Sequence, residues 1–131
     1  MLFLDAGIWI AAGMPTHSAH ADALAVIRSE QPVASLDLTL YEVMNGVGLK
    51  YRQPEDAARL CRLILRRSGD RLVRLDADLV DAVLEQIADH GLTAYDAAYV
   101  AAARRTGSQL VSIDVRDLVS KGLAVTPDAA V

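Results

Sequence analysis

The 131-residue sequence predicts an α/β fold: a mostly parallel sheet covered by helices on both faces. Three observations predict it. Short apolar runs alternate along the chain with longer segments of helical period. Helices separate nearly every pair of strands, which demands crossovers and hence parallel neighbours. The apolar share is 53% with only 5% aromatic, so the core must be built from Leu, Val, Ile and Ala, as suits helices packed on a sheet. The length fits one domain covering residues 1–131.

Leu2-Phe3-Leu4 reads as a short first strand, followed by a helix from about Gly7 to Gly13 that Met14-Pro15 breaks. A helix from about Ser18 to Ser29 turns Ala21, Leu24, Ala25 and Ile27 inward, and Pro32 to Ser35 forms the second strand. The next helix, about Leu38 to Tyr51, gives way at Gln53-Pro54, where another begins and runs to about Arg67. After the loop Ser68-Gly69-Asp70, Leu72 to Arg74 is the third strand. A strongly amphipathic helix starts at Asp76 or Ala77, with Leu79, Val80, Val83, Leu84 and Ile87 on its apolar side, and ends at Gly91. Helix Ala94 to Thr106, strand Leu110 to Ile113, a short helix Val115 to Ser120 and a last strand Leu123 to Val125 complete the chain.

Composition excludes several classes. The single cysteine, Cys61, cannot form an internal disulfide and reads as a small, partly buried apolar residue. The N-terminus is apolar but short, carries Asp5 and lacks a basic leader, and no apolar run approaches the ~18 residues of a membrane span, so a cytoplasmic protein is expected. The net charge of −4 argues against a simple nucleic-acid coat. Yet eight of the 13 basic residues fall between positions 50 and 74, opposed by only Glu55, Asp56 and Asp70. Within this basic segment Arg59, Arg62 and Arg66 share one helix face, which suits phosphate tracking or an acidic protein partner as well as it suits a solvated surface. His17 and His20 have no further His or Cys nearby, so zinc is not expected. The stripe Asp81, Glu85, Asp89 reads as an exposed face, and Trp9 and Tyr41 as packing residues.

Four acids carry the functional expectation. In open parallel sheets chemistry gathers beyond the carboxyl ends of the strands. Asp5 directly follows the first strand and Asp114 the strand ending at Ile113; Glu42 lies one turn into a helix, and Asp96 early in another, on the margin of its apolar side. Each has a simpler explanation: Asp5 and Asp114 as helix caps, Thr39-x-x-Glu42 and Thr93-x-x-Asp96 as capping boxes. If the four converge, no Lys or Arg in these motifs neutralises them, so either their pKa values rise or a divalent cation sits among them. Oxygen-only ligation favours Mg²⁺ or Mn²⁺, and such a site suits phosphodiester hydrolysis.

At these residues the sequence resembles the PIN-domain family, particularly the bacterial VapC-type toxins of toxin–antitoxin pairs. The most specific stretch is residues 92–118, LTAYDAAYVAAARRTGSQLVSIDVRDL. By this resemblance the family's four acids correspond to Asp5, Glu42, Asp96 and Asp114, a further acid to Asp117, and the hydroxyl residue before the fourth acid to Ser112. The resemblance implies an α/β/α sandwich, Mg²⁺- or Mn²⁺-dependent endoribonuclease activity with Asp5, Asp96, Asp114 and Asp117 at the metal, a cognate antitoxin and a homodimer. One departure stands out: Gly7 occupies the place where members carry Ser, Thr or Asn beside the first acid, so Asp5 is expected to be less well oriented. That departure motivates a second expectation, a catalytically impaired module acting through antitoxin or RNA binding, which would bind no Mn²⁺. A receiver-like phosphoacceptor domain would need paired acids after the first strand and a lysine near the last strands. Asp5 stands alone there, and Lys121 falls too late.

Overall fold

The computed structural model describes residues 1–131. Its centre is a four-stranded parallel sheet in the order β3-β2-β1-β4, formed by β1 (Leu2–Leu4), β2 (Val33–Leu36), β3 (Leu72–Val73) and β4 (Gln109–Val111). Around it lie α1 (Ala6–Gly13), α2 (His20–Arg28), α3 (Asp37–Val43), α4 (Pro54–Ser68), α5 (Ala77–His90), α6 (Ala94–Arg105) and α7 (Pro127–Ala130). The helix after β2 continues past Val43 in wider π-helical turns over Met44–Lys50, and a second π-helical segment covers Val115–Val119. No helix is long and apolar enough to cross a membrane.

The pleat explains the three layers. In β1, Leu2 and Leu4 join one core with Ile8, Trp9, Val26, Val33, Val43 and Ile64, whereas Phe3 joins the opposite core with Leu36, Leu79, Val100 and Leu118. β4 divides the same way, Val111 to the first core and Leu110 to the second. Helices α1, α2 and α4 therefore cover one face, and α5 and α6 the other. Ser35 points into the first layer and is fully buried, where it is satisfied by the Ser68 hydroxyl at 2.7 Å.

Local chemistry sets the element ends. Asp76 caps α5 by accepting from Leu79 N at 2.8 Å, and Gly91 stops that helix in the left-handed region at φ +64°. Gly46 packs closely on α1, since a Cβ there would stand 2.9 Å from Ile10 Cδ1 and the end of that side chain would have to shift. Several expectations change. On α2, Ala23, Val26 and Ile27 are buried while Ala21 and Ala25 are exposed, and β3 ends at Val73 rather than Arg74. The strand expected over Leu110 to Ile113 starts at Gln109 and ends at Val111, where its register with β1 stops at Leu4; Ser112 N still donates to Val125 O at 3.0 Å, but as part of a single bridge. The expected last strand reduces to one parallel bridge, Val111 with Val125, and Pro127 then starts α7. On α5, Val80 and Leu84 are 42% and 58% exposed, so the apolar stripe is wider than the core it feeds.

Candidate active site

Strand order places the site. From β1 the chain steps through β2 to β3 in one direction, and β4 lies on β1's other side, so the helices diverge between β1 and β4. Beyond the carboxyl ends of such a pair a crevice opens that needs no further folding to form. Leu4 is in register with Val111, and the residues that follow these two partners, Asp5 and Ser112 to Asp114, reach the crevice together.

Asp5 is the most buried acid, 9% exposed, and it does cap α1, accepting from Ile8 N at 3.2 Å. Burial pushes its carboxyl from 3.8 up to about 6. The Ser112 hydroxyl and the Ile8 amide oppose that rise, and the charges of Glu42 and Asp96 add to it. Ser112 is fully buried, and its oxygen also accepts from Asp114 N at 3.0 Å, so one side chain supports both acids. Glu42, half-buried on α3, accepts from the Tyr99 hydroxyl at 2.7 Å; burial raises its pKa, the Tyr99 hydrogen bond opposes the rise, and Asp96 reinforces it.

The other acids form a more open group. Asp96, Asp114 and Asp117 each offer a carboxylate oxygen within 4.8 Å of the others. Asp96 is raised by burial first, then by Asp114 and Asp117; Thr93 and Lys121 pull it back. Asp114 caps the π-helical segment by accepting from Asp117 N at 3.0 Å, which brings Asp117 alongside. The nearest cation, Arg116, stands 4.0 Å from Asp117 with its side chain 94% exposed. Three carboxylates so close without a buried basic partner form an oxygen donor set suited to a hard divalent cation. The structure thus gathers Asp96, Asp114 and Asp117 into one compact group and sets Asp5 and Glu42 beside it, with Asp5 outside that group but within electrostatic reach of Asp96.

Capping and clustering coexist here. Thr93 caps α6, accepting from Asp96 N at 3.2 Å, as its spacing suggested. Thr39 does not cap α3, whose N-cap is Leu36; its hydroxyl meets Tyr99 at 3.0 Å instead. Tyr99 is the residue that sequence reasoning passed over. The available signal was a tyrosine inside an alanine-rich helix, where a buried hydroxyl requires a partner. Trp9 is fully buried as expected, whereas Tyr41 is 67% exposed and lines an apolar groove with Leu38, Leu75, Val80, Leu84 and Tyr95.

The basic segment divides in two. Arg67 donates to Ile27 O and Ser29 O, and Arg71 to Val33 O, so these two are tied into the fold. Arg59, Arg62 and Arg66 are exposed on α4, with Arg59 paired to Asp56.

Comparison with known proteins agrees with this architecture. Over 131 aligned residues, 96% of this chain and 98% of the relative, the chain is 30% identical to a protein named Ribonuclease VapC3 of Pyrobaculum aerophilum. Its fold matches a toxin-antitoxin complex from Klebsiella pneumoniae with a TM-score of 0.74 at 22% identity, covering 97% of this chain and 98% of that one. It also matches VapC20 of Mycobacterium tuberculosis, a sarcin-ricin loop cleaving toxin, with a TM-score of 0.71 at 24% identity over 83% and 85% of the two chains. The family model for the PIN domain matches residues 2–119, and the chain belongs to the PIN-domain family.

Proposed function

We propose that this chain is a divalent-metal-dependent endoribonuclease and the toxin of a toxin–antitoxin pair. The observation that carries the reading is the convergence of Asp96, Asp114 and Asp117 beside Asp5 and Glu42 at the sheet's switch point. Asp5, Asp96, Asp114 and Asp117 would hold Mg²⁺ or Mn²⁺, which neutralises charge on the scissile phosphate and makes water a stronger acid. Glu42, held by Tyr99, would orient the attacking water and take its proton. Ser112 fixes the spacing between Asp5 and Asp114.

The exposed arginines Arg59, Arg62 and Arg66 supply a surface for the RNA backbone. The relative's name, Ribonuclease VapC3, supports RNA as substrate, and the fold match to a toxin–antitoxin complex supports a cognate antitoxin. A cytoplasmic homodimer that buries the apolar groove around Tyr41, Leu84 and Tyr95 fits the same reading, because exposed apolar patches mark interfaces. Asp96→Asn should leave the circular dichroism spectrum unchanged and abolish Mn²⁺-dependent RNA cleavage. Equal cleavage by variant and wild type would overturn the reading, and absence of both cleavage and Mn²⁺ binding in the wild type would favour an impaired binding module.

A further inference from the structure

We propose that Tyr99, backed by Thr39, is a positioning residue that locks the Glu42 carboxylate in place and couples it to the helix carrying Asp96. This rests on the ribonuclease reading above, and it assigns a role that the acids alone do not reveal.

The proton inventory orders the chain of hydrogen bonds. A carboxylate only accepts, so the single Tyr99 proton is committed to Glu42 Oε2 at 2.7 Å. The contact at 3.0 Å between Tyr99 and Thr39 must then run from the Thr39 hydroxyl to the Tyr99 oxygen. Burial and the neighbouring Glu42 charge push the Tyr99 hydroxyl far above its ordinary value, so it stays a donor across the working pH range.

Geometry makes this chain a constraint on Glu42 itself. Tyr99 is 3% exposed and Thr39 is fully buried, so water does not compete for either. The Tyr99 ring stands edge-on to Phe3, 6.3 Å between centroids at 77°, which fixes the hydroxyl's direction. Thr39 and Glu42 lie three residues apart on α3, and Asp96 and Tyr99 three apart on α6, so each pair shares a helix face. The chain leaves α3 at Thr39, passes through α6 at Tyr99 and returns to α3 at Glu42. It therefore ties the flexible glutamate side chain to the element that holds Asp96. At Asp5, by contrast, Gly7 offers no side chain, and the space its Cβ would enter is bounded by Ile113 Cγ1 at 3.3 Å and Asp5 Oδ1 at 3.4 Å. Buried hydroxyls from other elements, Ser112 at Asp5 and Tyr99 at Glu42, serve the two acids that lie outside the Asp96, Asp114 and Asp117 group.

Tyr99→Phe keeps the ring and removes only the hydroxyl. Measured on the full chain with Mn²⁺ and a single-stranded RNA, the cleavage rate at saturating RNA should fall roughly 10–100-fold, with KM within about twofold. Thr39→Val should slow cleavage less. The double variant should match Tyr99→Phe alone, because Thr39 acts only through the tyrosine. Mn²⁺ affinity by calorimetry should stay within about threefold of wild type, since the change falls on Glu42 rather than on the proposed ligands. An unchanged rate, additive effects in the double variant, or a rate loss no larger than the fraction of protein unfolded would each overturn the proposal. If the wild type itself leaves RNA intact, the ribonuclease reading fails. Crystal structures of wild type and Tyr99→Phe then decide the positioning claim separately: a displaced Glu42 carboxylate supports it, and an unmoved one overturns it.

Discussion

The acidic site has two halves that hold the same chemical group by different means. In the inner half, Asp5 and Glu42 are sunk against the core, and burial is the first cause of their raised pKa values. Hydroxyls supplied by distant parts of the chain, Ser112 and Tyr99, make that burial tolerable. In the outer half, Asp114 and Asp117 come from one short segment whose own amide–carboxylate contact brings them together, and Asp96 joins them from the first turn of α6. The inner half is a tertiary construction, and the outer half is mostly local. Crowded acids can thus be set either by long-range packing or by a cap.

The largest expected effect separates these halves. Asp5→Asn and Asp96→Asn should each cost roughly 10³-fold or more in RNA cleavage. They should part in stability. The folded chain binds the Asp5 proton more tightly than the unfolded chain, about 6 against 3.8, so stability falls as pH rises through that interval. At neutral pH in EDTA, Asp5→Asn should therefore stabilise the protein by about 3 kcal/mol in urea denaturation. Asp96→Asn should do less, its carboxylate being more exposed. Equal stability changes would erase the distinction between the halves.

Mn²⁺ binding should report the same difference through pH. Asp5 must lose its proton to serve a cation, so calorimetric affinity should weaken by up to about tenfold for each pH unit below about 6. An affinity that stays flat from pH 7 to pH 5 would remove Asp5 from the ligands. Asp117→Asn touches only the outer half; it should weaken Mn²⁺ binding about tenfold and leave the metal-free stability unchanged. The smallest effect belongs to the surface. Replacing Arg59, Arg62 and Arg66 together by Ala should flatten the salt dependence of RNA affinity by about two in log–log slope, while cleavage at saturating RNA holds. An unaltered slope would assign that face to another role.

Much of the fold could be read from the chain, because pleat and helix period are local signals. β1 matches its expected bounds residue for residue, and α4, α5 and α6 match to within a residue or two, since Pro54, Asp76, Gly91 and Thr93 mark their ends chemically. The expected β4 runs two residues too far because Ser112 and Ile113 look strand-like, and only the end of β1 at Leu4 shows where its ladder stops. The apolar residues of α5 gave no sign that Val80 and Leu84 would stay open, because hydrophobicity reports a tendency to be covered and not what does the covering. Of the site, the positions of the acids followed from strand ends and helix starts. The grouping of Asp96, Asp114 and Asp117 follows from the family resemblance and not from composition or spacing, and the fold brings their oxygens within 4.8 Å of one another.

By itself the sequence determined the alternation of strands and helices, the crossovers that make the sheet parallel, and four acids at the edge where such sheets do chemistry. Only the tertiary structure decided which acids are buried, which hydroxyls serve them and how unlike the two halves are. The reason is physical. A cap or a pleat depends on neighbours a few residues away, whereas the environment of Glu42 depends on Tyr99, 57 residues along the chain, and that of Asp5 on Ser112 across a strand pair.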